Sequence, residues 1–137
     1  GTLLLRPKNV VAGIGCRRGI SEEVLESGLR AALAEQGLVI GQVKAVASVD
    51  LKKREPALIA LAEKYRIPFK VYPAEELEKI REVTSRSEFV ERTAGVDNVC
   101  ERAALTCGRG GKLIQGKRIV ESMTSALVRL PVTLDFR

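Results

Sequence analysis

The sequence predicts a three-layer α/β/α sandwich on a mixed, mostly parallel sheet of about five strands, and three observations carry that reading. Apolar, β-type runs alternate three times with amphipathic helical runs between residues 10 and 80, a pattern that right-handed crossovers turn into a parallel sheet. A polar stretch of mixed sign follows, and two short β-type runs joined by a basic turn close the chain as an antiparallel pair. Length agrees, because 137 residues suit one domain, 1–137, with room for a buried core.

The first strand is read at Val10, Val11 and Ala12, running into a glycine-rich turn from Gly13 to Gly19. Ser21 is placed to cap the first helix, with Glu22 and Glu23 where the helix dipole favours acids. Leu25, Gly28, Leu29, Ala32 and Leu33 share one face, and Gly37 ends the helix. Val43–Val49 has the composition of a second strand, and Pro56 opens a second helix with Leu58, Ile59, Leu61, Ala62 and Tyr65 as its apolar stripe. Phe69–Tyr72 between two prolines is the third strand, and Ala74–Ile80 a short third helix. Between Glu75 and Arg92 six acids and four bases describe a solvated surface, with Ser87 capping a helical turn around Phe89 and Val90. Asp97 or Asn98 caps a helix through Val99, Cys100, Ala103 and Ala104, then Gly108–Gly111 forms a loop. Leu113–Ile114 and Met123–Leu130 are the last two strands.

Composition removes several function classes. The chain has no His and no Trp, so imidazole bases, Ser/His/Asp or Cys/His arrangements and His-ligated metals have no residue to run on. Three cysteines without a Cys-x-x-Cys pair specify neither a disulfide framework nor a zinc site, and a reducing cytoplasm fits them. No run approaches the ~20 apolar residues of a membrane span. Neither a metal nor a cofactor is expected. The formal charge is +6, yet aromatic residues are only 4%, which leaves few stacking platforms for a nucleic acid.

Ligands of open α/β sheets bind beyond the carboxyl ends of the strands, which points to the Gly13–Gly19 and Ser48–Glu55 turns. Glycines admit a ligand close to the backbone, the following helix offers free N–H groups, and Arg17 and Arg18 add fixed charge, so anion recognition is the physical reading. The alternative is a tight strand-to-helix turn with no ligand. The Gly-x-Gly-x-x-x-Gly spacing fits neither the dinucleotide nor the Walker motif. Residues 1–21 carry Arg6, Lys8, Arg17 and Arg18 without an acid, and residues 108–118 carry Arg109, Lys112, Lys117 and Arg118 without one. Converging above the sheet, these two segments would form a cationic rim suited to a polyanion. Cys16, at a helix N-terminus beside two arginines, is where a thiol pKa would be lowered, although no general base is visible and a small residue in a crowded turn is the simpler account. Cys100 reads as core and Cys107 as a loop thiol. Asp50 is an N-cap or a polar-site carboxylate beside Lys52, and Glu55 a helix-start acid. Lys52, Lys53 and Arg54 are a solvated run or part of the site.

Gly13-Ile-Gly15-Cys16-Arg17-Arg18-Gly19 after an apolar strand, then Ser48-Val-Asp50-Leu-Lys52 with Glu55-Pro56, closely resembles the C-terminal domain of the cobalamin-biosynthesis protein CbiG and its stand-alone relative CobE. Gly95-Val96 with Val99-Cys-Glu101-Arg-Ala103-Ala104-Leu105 is similar to a later block of that family, and Lys117 with Thr124-Ser-Ala126 to its ending. The resemblance runs from Val10 to Val128. It implies a role in cobalamin biosynthesis, with a precorrin or corrin intermediate as ligand and other enzymes of the pathway as partners. The two-domain CbiG opens the lactone of cobalt-precorrin-5A and releases acetaldehyde, and this chain matches only its C-terminal domain. The expected ligand-binding residues are Gly13, Gly15, Cys16, Arg17, Arg18, Gly19, Asp50, Lys52, Glu101 and Lys117. Asp50 and Glu101 are the catalytic candidates if the chain is a hydrolase.

Overall fold

A computed structural model of the chain describes residues 8–80, 98–120 and 123–131. Its sheet has the order β3-β2-β1-β5-β4, where β1 is Val10–Cys16, β2 Val43–Val49, β3 Phe69–Tyr72, β4 Lys112–Val120 and β5 Met123–Arg129. β1, β2 and β3 are parallel, whereas β5 runs antiparallel to both β1 and β4. The mixed, five-stranded sheet read from the sequence is therefore the one formed.

Period-two alternation along β1 sends successive side chains to opposite faces. Val10, Ala12 and Ile14 pack with Leu25, Leu29 and Leu33 of α1 (Glu22–Glu35) and Leu58 and Leu61 of α2 (Pro56–Tyr65). Val11 turns the other way and meets Ala104 and Leu105 of α4 (Val99–Cys107), with Val128 of β5. Leu77 of α3 (Ala74–Glu78) joins that second layer with Val49, Val99 and Ala103. Helices thus cover both faces of the sheet.

Local signals act as expected at several ends. Ser21 accepts the Val24 N–H at 3.1 Å and caps α1, and Gly37 takes φ +71 just past that helix. Of the two candidate caps for α4, Asn98 does the work, accepting the Glu101 N–H; Asp97 lies outside the described residues. So do Ser87, Phe89 and Val90. α3 stops at Glu78, short of Ile80. Arg102, reaching across from α4, donates to the carbonyls of Leu77 and Ile80 and so takes over carbonyls that a longer helix would use.

Three further assignments differ from the sequence reading. Gly13, Ile14, Gly15 and Cys16 belong to β1, so the turn proper is Arg17–Ile20. Gly13 is read as a turn glycine, but an added Cβ there would lie 1.8 Å from the Cys100 carbonyl oxygen: the residue is small because α4 crosses the strand in contact with it. The basic Lys117-Arg118 segment is part of β4, not a turn, and its pairing with β5 is irregular on both sides of Gln115. Gln115 Nε2 donates to the Ala32 carbonyl at 3.1 Å and ties the strand to α1. Cys107 is the last residue of α4 rather than a loop thiol.

Candidate functional site at the carboxyl ends of the parallel strands

The chain leaves β1 through a four-residue turn closed by Ile20 N–H to the Arg17 carbonyl at 3.2 Å. Gly19, third in this turn, has φ +80, while Arg18 is not among the residues of positive φ, which makes it a type II turn and explains the glycine. In such a turn the N–H of the third residue points outward. Here it donates to Glu55 Oε2 at 3.1 Å. Glu55 is only 6% exposed, and a hydrogen bond to a buried carboxylate contributes about 1.5–3 kcal/mol. Arg17, Arg18 and Gly19 are exposed.

β2 ends beside β1 and passes into a 3₁₀ turn, Asp50–Lys52, before α2. Asp50 is exposed and Lys52 half-buried. Asp50 closes this turn with its carbonyl, which accepts the Lys53 N–H. Burial pushes the Cys16 thiol up to about 11; Lys52 pulls it down and Glu55 adds to the rise. This reverses the lowered thiol pKa read from the sequence. Cys16 is paired with Met123 in the sheet and half-buried against the core, so desolvation outweighs the pull of Lys52.

On the other face, Glu101 in the first turn of α4 is fully buried. Its carboxylate accepts the Lys117 N–H at 2.5 Å, which brings β4 to the same end as the Arg17 turn. Gly15 is paired with Thr124 there. Cys100 is a core residue as expected, its thiol raised to about 11 by burial against the opposing hydrogen bond from Thr124.

The structure brings together Gly15, Cys16, Arg17, Arg18, Gly19, Asp50, Lys52, Glu101 and Lys117 at one end of the sheet, with Gly13 one turn of packing below. It does not bring both basic segments there. Lys112 pairs with Arg129, which pairs with Val10, so Lys112 sits at the opposite end of β1, about 20 Å away at ~3.3 Å per residue, and the Arg109 guanidinium is 3.7 Å from Glu76. Lys8, preceding β1, shares that far end, and Arg6 lies outside the described residues. Arg118 turns to the last residue of α1, its guanidinium 2.7 Å from Glu35. The rim is therefore smaller than the charge count implied: Arg17, Arg18, Lys52 and Lys117, none of which has an ion-pair partner among the described residues.

Sequence reasoning missed Glu55 as the partner of Gly19, seeing only an acid at a helix start; its signal was an N-cap position occupied by Glu rather than Ser, Thr, Asp or Asn. Ser48, read from the sequence only as the start of the second turn and its motif, donates to the Ile14 carbonyl at 2.6 Å and ties β2 to β1. Among the described residues no cluster of His, Cys, Asp and Glu is placed to hold a metal ion. Nor is any helix there long and apolar enough to cross a membrane.

Residues 10–128 match the family described as Cobalamin synthesis G C-terminus. The chain is 43% identical over 106 residues to the cobalt-precorrin-5A hydrolase of Salmonella typhimurium, covering 77% of this chain and 30% of that protein. It is 38% identical over 128 residues to Protein CobE of a Sinorhizobium species, covering 91% and 82%. A crystal structure of CobE, a protein from the cobalamin (vitamin B12) biosynthetic pathway, superposes with a TM-score of 0.83 at 35% identity, covering 90% of this chain and 91% of that one. The chain spans about a third of the length of the hydrolases it matches and most of CobE. With this fold and a match from β1 to the end of β5, the chain belongs to the CobE/CbiG C-terminal family of cobalamin-biosynthesis proteins.

Proposed function

We propose that the chain binds a polycarboxylate precorrin or corrin intermediate at the carboxyl ends of β1 and β2, in the manner of a CobE-like protein. The observation that carries this is the set of cations at that end, Arg17, Arg18, Lys52 and Lys117, that have no ion-pair partner among the described residues. Such a ligand is a flat apolar ring fringed by acetate and propionate groups, and guanidinium forks match carboxylates bidentately. Four charge-assisted contacts at roughly 1.5–3 kcal/mol each give about 6–12 kcal/mol gross. Association consumes about 4–15 kcal/mol, so burial of the ring must contribute to binding tighter than micromolar. Other enzymes of the pathway are the expected partners, as donors or acceptors of the intermediate.

The test is an absorbance titration with cobyrinic acid, a corrin with free peripheral carboxylates, at two salt concentrations and beside a nucleic-acid control. One-site binding that weakens with salt and falls in the R17A/R18A variant is expected. Affinity unchanged in that variant would remove both arginines from the site.

A second reading, hydrolysis of a lactone, is favoured by the 43% identity to a protein named cobalt-precorrin-5A hydrolase. Here Asp50 or Glu101 orients water with help from Lys52. Asp50 is the better placed, being open to solvent, whereas Glu101 is fully buried and already holds the Lys117 N–H. Acetaldehyde released from cobalt-precorrin-5A by this chain alone, and lost in D50N, would establish it.

A further inference from the structure

We propose that Glu55 is a positioning residue for the cationic rim: its buried carboxylate holds the Arg17–Ile20 turn in the conformation that presents both guanidinium groups. The inference rests on the ligand reading above and extends it to a residue acting through another.

Glu55 occupies the N-cap position of α2 yet makes no side-chain hydrogen bond to its own helix. It reaches instead across to Gly19, 36 residues earlier. That bond falls on an N–H that the turn's own Ile20–Arg17 bond leaves unused, at a residue whose φ of +80 any other side chain would strain. The carboxylate is also near enough to Cys16 to raise its thiol, as Lys52 is to lower it. Glu55, at the end of the connection that carries Lys52, therefore links it to the connection that carries Arg17 and Arg18. Without it no other side-chain hydrogen bond among the described residues joins the turn to the β2–α2 connection, and the turn's backbone must be ordered when the ligand arrives.

The sign of the effect separates positioning from simple charge. Glu55 is an anion beside the place assigned to an anionic ligand, so a purely electrostatic residue would weaken binding, and any neutral replacement would tighten it. A positioning residue behaves otherwise. E55Q keeps an oxygen that can accept the Gly19 N–H, and E55A keeps nothing.

Cobyrinic acid affinity is measured for wild type, E55A and E55Q, and for each in an R17A/R18A background at low salt, where Lys52 and Lys117 still attract the probe. E55A is expected to bind about tenfold more weakly, the penalty of ordering the turn's backbone at the moment of binding. E55Q is expected to match wild type or exceed it, and E55A to have no further effect once both arginines are gone. Exchange of the Gly19 amide hydrogen, slow in wild type and E55Q and fast in E55A, reads the turn directly and needs no ligand. Tighter binding by E55A, an undiminished E55A effect in the R17A/R18A background, or a Gly19 amide indifferent to the substitution would overturn the positioning role. A wild-type protein that ignores the probe while its Gly19 amide remains Glu55-dependent would instead overturn the ligand reading.

Discussion

Gly13 and Cys100 meet with no room for a side chain: a Cβ on Gly13 would stand 1.8 Å from the Cys100 carbonyl oxygen and 2.7 Å from the Ala104 nitrogen. Both clashes are with backbone, which no rotamer change relieves. G13A must push α4 away from β1, and overpacking of this kind costs about 1–3 kcal/mol or more. A clearly lowered urea midpoint is expected, and a G13A protein as stable as wild type would refute the packing account.

Gly19 is the opposite case, with open space around it and a constraint that is purely conformational. At φ +80 an alanine carries roughly 1–2 kcal/mol of strain. G19A should therefore lose about that much stability while keeping its fold, with an unchanged dependence of unfolding free energy on urea. A neutral G19A would mean that the turn is not held as described.

Cys16 should be a poor nucleophile at neutral pH. Its thiol is raised to about 11 by burial, so at pH 9 only roughly one per cent is thiolate. Peptide-resolved alkylation with iodoacetamide is expected to stay slow through pH 9 and accelerate beyond it. A midpoint below 8.5 would restore the nucleophile that the neighbouring arginines suggest.

Glu26 bridges α1 and α2, accepting from Lys64 at 2.8 Å and from the Tyr65 hydroxyl at 2.8 Å, with Arg30 beside it. The Lys64 bond, then that from Tyr65, lowers its carboxyl from 4.5 to about 2. A depressed native pKa means that the folded state favours the ionised form, so the contribution is complete above about 4.5 and disappears as pH falls through about 2. The stability difference between wild type and E26Q should shrink over that window. Acid unfolding curves that remain parallel down to pH 2 would show that the bridge contributes nothing.

Elements whose signals are local were legible. Ser21 lies beside the N–H groups it caps, β2 is a run of strand-forming residues ended by a polar turn, and the stripe Leu25-Leu29-Leu33 repeats with the helix itself. Where two distant segments press on each other, the same residues misled. Gly13 resembled a turn residue because a glycine demanded by a helix 87 residues later looks no different in sequence from one demanded by a turn. Lys117 and Arg118 resembled a basic turn, although Glu101 and Glu35 draw each of them into β4.

By itself the sequence determined the alternation of strands and helices and the absence of imidazole groups, and it pointed to the end of the sheet proposed here for a ligand, since propensity, composition and periodicity act over a few residues. Only the tertiary structure decided which cations share that end. Sheet register carries Lys112 to the far end of β1, ion pairs engage Arg109 and Arg118, and buried Glu55 and Glu101 fasten the Arg17 turn and Lys117. Long-range register and a buried carboxylate's choice of partner depend on segments dozens of residues apart, and no local pattern encodes their meeting.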